Sequence, residues 1–250
     1  MFLKDNVTFL SAQFETKTPQ EIIQWAMDAC APEITVSTSF QTESMPLLYM
    51  VTRIMPDIRI LFLDTGYHFW DTLIFREQIQ HDWGLNVVDI YRDVRWDVFV
   101  RQNVRTLPLQ DANLCCYIHK VQPMQKALRG SRAWITGIRR DQTPDRAYAQ
   151  ILELEDDGLL KVNPLLNWTK NDIQAYRMAH HLPAHPLYER GYRSIGCAPC
   201  TMAVGTNDDD RAGRWAGRGK TECGLHTKLF KHKELAEVED QFVIKPGDLP

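Results

Sequence analysis

Short β-branched and apolar runs alternate with longer amphipathic stretches through the first half of this chain, and that alternation most constrains its fold. Ile34-Thr35-Val36-Ser37-Thr38, Ile58 to Leu63, Asn86 to Ile90 and Ala133 to Gly137 read as strands, because β-branched and aromatic residues suit a pleated, buried surface. Between them lie helical segments. Thr18-Pro19-Gln20-Glu21 has the pattern of an N-cap, a first-turn proline and a capping box. Ile22, Ile23, Trp25, Ala26 and Ala29 then form one apolar face. Further helices are expected over Met45–Met55, Phe69–Trp83 and Asp172–His181, the last with Thr169 as N-cap. Strand and helix at this spacing predict an α/β fold, with a parallel sheet covered on both faces. Ligands of such sheets bind beyond the carboxyl ends of the strands.

Two segments fall at those ends. Ser37-Thr38-Ser39-Phe40-Gln41-Thr42-Glu43 leads into a helix, where hydroxyls and unpaired backbone N–H groups suit an anion; ordinary helix capping explains the same residues equally well. Asp64-Thr65-Gly66-Tyr67 follows the second strand. The glycine-rich pattern of a P-loop NTPase is absent. A net charge of −3 gives no overall basic field for nucleic acid. The start lacks a signal-peptide pattern and no apolar run suits a membrane span. A cytoplasmic protein with no nucleic-acid or membrane partner is therefore expected.

The cysteines carry the chemistry. Cys115 and Cys116 are adjacent, Cys197 and Cys200 form a Cys-Ala-Pro-Cys turn, and Cys223 stands alone among Lys220, Glu222 and His226. Structural disulfides are disfavoured, since the chain is long enough to build a core and lacks an export signal; Cys30 reads as a plain buried thiol. On a helix, Cys115 and Cys116 diverge by about 100°. Zinc sites space their ligands more widely, whereas a cubane offers a separate iron to each thiolate, so an iron–sulfur cluster is favoured over zinc. Lys120 lies one helical turn beyond Cys116. Arg139, Arg140 and Arg146, and then Arg211, Arg214, Arg218 and Lys220, form cation groups suited to gripping phosphate or sulfate, or else a solvated face. Cys223 is suited to be a nucleophile, with Lys220 and His226 favouring its thiolate and Glu222 opposing it. No second tail cysteine is present to resolve it, so the resolving thiol is expected from another molecule.

Cys115-Cys116 with Lys120, Ser194-Ile195-Gly196-Cys197-Ala198-Pro199-Cys200 and Glu222-Cys223-Gly224-Leu225-His226 together resemble the assimilatory adenylyl-sulfate (APS) reductases. Leu63 to His68, Thr136 to Arg140 and Val162-Asn163-Pro164-Leu165 are similar to that family too, and the likeness runs from about Thr35 to Lys228. The resemblance implies a parallel-sheet adenine nucleotide α-hydrolase-like (PP-loop) fold with a C-terminal catalytic tail. It places a nucleotide- and cluster-binding domain at 1–204 and a mobile tail at 205–250. It also implies one [4Fe-4S] cluster on Cys115, Cys116, Cys197 and Cys200, with Cys223 as the nucleophile. The substrate is expected to meet Lys120, Arg146, Arg211, Arg214 and His226 at its phosphosulfate, and Ser37, Ser39, Asp64, Thr65 and Gly66 at the strand ends. The implied activity is reduction of adenosine 5′-phosphosulfate to sulfite and AMP through an S-sulfocysteine, in sulfate assimilation. Thioredoxin is the implied reductant, with glutaredoxin as the alternative.

There are departures. His119 stands where that family often has Arg, and Ser37-Thr38-Ser39-Phe40-Gln41 resembles the loop of phosphoadenylyl-sulfate (PAPS) reductases. A reductase of PAPS, or of both nucleotides, is the alternative reading, while the cluster cysteines weigh towards APS. A tRNA-thiolating PP-loop enzyme would need a Ser-Gly-Gly-x-Asp-Ser loop that Ser37–Glu43 does not supply. A zinc module would leave the Glu-Cys-Gly-Leu-His tail unexplained.

Overall fold

In the computed structural model, residues 4–226 are described; residues 227–250, the end of the expected tail, lie outside them. Six strands form one sheet: β1 (Ile34–Ser37), β2 (Arg59–Leu63), β3 (Val87–Ile90), β4 (Ala133–Ile135), β5 (Leu152–Leu154) and β6 (Leu160–Val162), in the order β3-β2-β1-β4-β6-β5. All neighbours are parallel except β5, which pairs antiparallel with β6. That hairpin was not foreseen. Its strands are three residues long, and the signal available was the Asp157-Gly158 turn between Leu154 and Leu160.

Side-chain alternation divides the core. Ile34 and Val36 of β1, Ile60 and Phe62 of β2, and Ala133 and Ile135 of β4 join one cluster. It includes apolar faces of α2 (Pro19–Cys30), α3 (Met45–Ile54), α4 (Trp70–Trp83) and α9 (Lys170–Ala179). Leu61 and Trp134 point the other way, onto Met124 of α8 (Gln122–Ala127) and Leu128. This period-two division is what a sheet buried on both faces requires. The Thr18 capping box at α2 forms as expected, and Thr169 caps α9 in the same manner. α1 (Lys4–Phe14), which the strand–helix pattern does not reveal, lies beside β5; its Ser11 accepts a hydrogen bond from Leu152 N.

Between β3 and β4 run α5 (Asp97–Asn103), α6 (Leu107–Gln110) and α7 (Ala112–Cys116). A single π turn, Tyr117–Val121, joins α7 to α8. The strand order reverses between β1 and β4, so their carboxyl ends open a crevice there. The described part of the tail returns to the domain. Thr201 bridges Arg214, Met202 N donates to Gly213 O and Trp215 N donates to Cys200 O. Among the described residues no helix is long and apolar enough to cross a membrane.

Candidate active site

The crevice at the strand ends is a cavity lined by Val36, Ser37, Ser39, Leu61, Thr65 and Gly137, and from the other side by Lys120, Arg146, Arg211, Arg214, Cys223 and His226. One end is thus walled by strand residues and the other by cations. Phe40 anchors the loop after β1. It is fully buried against Phe62 at 5.6 Å, holds a left-handed φ of 52°, and its N–H donates to Thr38 Oγ1. Ser37 Oγ accepts from Trp134 Nε1 at 2.8 Å. Ser39 and Ser44 place their hydroxyls 3.4 Å apart beside the cavity, and Ser44 makes no side-chain cap to α3. These serines therefore do not serve as ordinary caps.

The turn after β2 has a different task. Gly66, at φ 71°, lets its N–H return to Asp64 Oδ1, while Tyr67 N–H donates to Thr65 Oγ1. Thr65 Oγ1 lies 3.3 Å from Cys197 Sγ, and Tyr67 O accepts from Ala198 N. The turn thus supports the Cys197–Cys200 segment. Thr65 reaches the cavity; Asp64 and Gly66 are not among the residues lining it.

α7 begins where Asp111 accepts hydrogen bonds from Asn113 N and Leu114 N, and it ends on Cys115 and Cys116. Cys116, Cys197 and Cys200 meet in one buried cluster with Trp215, and Cys223 packs against it. Burial, reinforced by the neighbouring sulfurs of Cys116 and Cys197, pushes the Cys115 thiol far up; burial raises Cys116 to about 11 despite Lys120. Thiols held up in this way, as Cys115 and Cys116 are, become thiolates when a bound cationic centre stabilises them. Among the described residues no group of three or more His, Cys, Asp or Glu side chains is placed to hold a metal ion. A cubane, whose irons are separately ligated, suits this donor set better than one zinc ion does. Unpartnered buried atoms point the same way: the donor Trp215 Nε1 lies in the cysteine cluster, and neutral His119, with one donor among its two unpartnered ring nitrogens, lies beside Tyr67, which also packs against that cluster. Sulfide acceptors would satisfy such donors.

Lys120 sits in the π turn between the cysteines and the cavity, and such turns recur at functional sites. Burial disfavours its charge, but the sulfurs of Cys197, Cys223 and Cys116 outweigh that and raise its pKa. Arg214 crosses the bare Cα of Gly196, where a Cβ would lie 2.6 Å from its Cζ. Arg211 is pulled down to about 10 by burial and by Arg146 and Arg214, with Glu222 opposing. Crowded cations of this kind mark a place prepared for an anion. His226 is driven well below its usual range by burial and by Lys161, Arg146 and Arg211; it stacks on Trp134 at 5.5 Å.

Burial alone would raise the Cys223 thiol, but Lys120, with help from Arg214 and the Leu225 N–H, brings it below the usual thiol value. The cations acting on it therefore differ from those expected. Lys220 instead reaches Asn113 and the face of Trp215, and Arg218 reaches Pro108 O and Cys200 Sγ. Glu222, expected to oppose the thiolate, does so, yet most of its carboxylate is committed to Arg146 and Thr143. Sequence reasoning missed that clasp, and also Gln41, whose Oε1 accepts from Ile195 N.

A sequence profile of the phosphoadenosine phosphosulfate reductase domain matches residues 33–203. The chain belongs to that family. Proteins named adenosine 5′-phosphosulfate reductase from Rhodococcus opacus (strain B4) and Bacillus mycoides (strain KBAB4) are each 36% identical to it over 225 residues. These alignments cover 86% and 89% of this chain, and 91% and 96% of the two relatives. A PAPS reductase from Candida auris, solved as a phosphate complex, superposes with a TM-score of 0.69 at 23% identity, covering 82% of this chain and 98% of that one. Yeast FAD synthetase gives 0.53 at 14% identity, over 81% and 70%. These likenesses show the fold, that of the PP-loop, adenine nucleotide α-hydrolase-like group. The family span contains Cys115, Cys116, Cys197 and Cys200 and ends before Arg211, Arg214, Cys223 and His226.

Proposed function

We propose that this reductase-family chain reduces adenosine 5′-phosphosulfate to sulfite and AMP, in sulfate assimilation. The observation that carries the reading is the meeting, in one cavity, of Cys223 with Lys120, Arg211, Arg214 and His226. Lys120, Arg211 and Arg214 hold the phosphosulfate and neutralise charge on the leaving phosphate, with neutral His226 beside them. The Cys223 thiolate attacks the sulfur; an S–S bond forms, the bond from sulfur to the phosphate oxygen breaks, and AMP leaves with that electron pair. A second thiol, from thioredoxin or alternatively glutaredoxin, then attacks Cys223 Sγ and releases sulfite, leaving a mixed disulfide that its partner thiol resolves. A [4Fe-4S] cluster on Cys115, Cys116, Cys197 and Cys200 supplies, when bound, a rigid electrostatic platform against which Lys120 is held. Ser37, Ser39 and Thr65 meet the nucleoside end, with Asp64 and Gly66 shaping the turn that carries Thr65. None of the six cysteines forms a disulfide, which suits a reducing cytoplasm.

APS is chosen over PAPS on the names of the curated relatives and on the four paired cysteines. The test mixes anaerobically purified protein with APS and no reductant. One reductant-free turnover should release one AMP and add the mass of one sulfonate to Cys223; Cys223→Ser should keep its visible absorption and form no adduct. Adduct on another cysteine, or faster adduct formation from PAPS than from APS, would overturn the respective part of this reading.

A further inference from the structure

Glu222 is the immediate neighbour of Cys223 and only 6% exposed. Its carboxylate accepts from Arg146 Nε at 2.6 Å, from Arg146 Nη2 at 2.7 Å and from Thr143 Oγ1 at 2.8 Å. Arg211 Nη2 stands 3.6 Å away and donates to Thr221 O at 2.7 Å. Thr221 Oγ1 in turn donates to Asp145 Oδ2 at 2.9 Å. The segment that carries the nucleophile is therefore gripped on both residues before it, chiefly by the loop Thr143–Arg146. The third arm of Arg146, Nη1, reaches Gln142 Oε1, and Gln142 Nε2 donates to Glu43 Oε2 at 3.2 Å. Glu43 adjoins Ser44 of the cavity loop. A continuous chain of hydrogen bonds thus links Cys223's segment to the loop after β1.

We propose that Glu222 is the positioning residue of the nucleophile, docking Cys223 onto the Thr143–Arg146 loop through Nε and Nη2 of Arg146, whose Nη1 is held by Gln142. The anionic end of the substrate is then left to Lys120, Arg211, Arg214 and His226, and Arg146 acts on the reaction through Glu222. The energetics suit such a device. A buried ion pair defines geometry closely, yet its desolvation cost offsets much of its attraction. The clasp can therefore set the thiolate's place for attack and still open when Cys223 must meet an external thiol.

This inference rests on the proposed attack by Cys223, and the test separates the two. Anaerobic holoprotein of wild type, Glu222→Gln and Arg146→Lys is treated with iodoacetamide, and Cys223 alkylation is followed by peptide mass. In parallel, single-turnover AMP release from APS is measured across APS concentrations. Each variant should alkylate at Cys223 about tenfold faster and release AMP about tenfold more slowly at saturating APS, with half-saturation within about twofold of wild type and the visible spectrum unchanged, as loss of a charge-assisted contact implies. Unchanged alkylation overturns the clasp. A raised half-saturation with an unchanged maximal rate also overturns it, since Arg146 would then be a direct ligand. Should Glu222→Gln not fold, Thr143→Val removes one donor and no charge; faster alkylation in it supports the clasp and wild-type alkylation overturns it. Wild-type protein that forms no adduct refutes the proposed reaction, while the alkylation comparison still reads the clasp.

Discussion

Gly196 and Arg214 show how one missing Cβ can shape a site. The guanidinium of Arg214 passes over Gly196, lies 4.4 Å from the Trp215 ring and reaches Ile195 O at 3.3 Å, while its Nε has no protein partner. Gly196→Ala should displace the guanidinium and weaken APS binding by roughly 1.5–3 kcal/mol, the value of a hydrogen bond to a charged group. Titration of APS against the Cys223→Ser and Cys223→Ser/Gly196→Ala proteins measures this, with equal affinity refuting it. At the same scale, Arg214→Ala should produce a loss of similar size with the visible spectrum retained. Gly196 was legible in the sequence as part of a cysteine motif; its role as a gap for Arg214 was not, because the two meet only through the tail's return.

At the level of elements, the cysteine helix depends on its beginning. Asp111 Oδ1 accepts from Leu114 N at 2.8 Å and from Asn113 N at 3.1 Å, directly before Cys115. Loss of an N-cap costs about 1 kcal/mol. Asp111→Ala should therefore fray α7 and speed the loss of visible absorption when anaerobic protein is incubated with an iron chelator; equal bleaching rates would show that the cap does not support the cysteines. Helices α2, α3, α4 and α9 and the central strands were readable from residue pattern because their buried faces repeat, whereas α1, α5, α6 and α8 were not. The β5–β6 hairpin was not, since three-residue strands carry almost no period and owe their existence to the sheet edge they join. The π turn was equally hidden, since a helix widens there only in response to what packs around it.

Across the molecule, His185 ties three elements together. Its N–H donates to Thr42 Oγ1, its Nδ1 accepts from Leu187 N, and its Nε2 is 2.9 Å from Thr72 Oγ1 of α4. Burial lowers its pKa from 6.5 to about 4, with Asp71 partly opposing. The folded state thus holds neutral imidazole, while the unfolded chain takes up a proton as pH falls below about 6.5. Stability from this residue is complete above that value and is lost as pH falls towards 4, by roughly 3 kcal/mol at the low end. Urea unfolding of anaerobic protein at pH 7 and at pH 4.5 should show the loss, and His185→Gln should flatten the difference. An identical pH response in the variant would remove His185 as the cause.

What the sequence alone determined is the alternation that builds a parallel sheet, the capped helices, and the cysteine, lysine and glycine motifs. Each of these is a local pattern whose physical meaning survives without neighbours. The cavity at the β1–β4 reversal, the meeting of Cys223 with Lys120 and Arg214, and the capture of Glu222 by Arg146 were decided by tertiary structure. The reason lies in the electrostatics of burial. Whether Glu222 opposes a neighbouring thiolate or anchors its segment depends on which cations the fold brings to it, and residues 76 positions apart supply them.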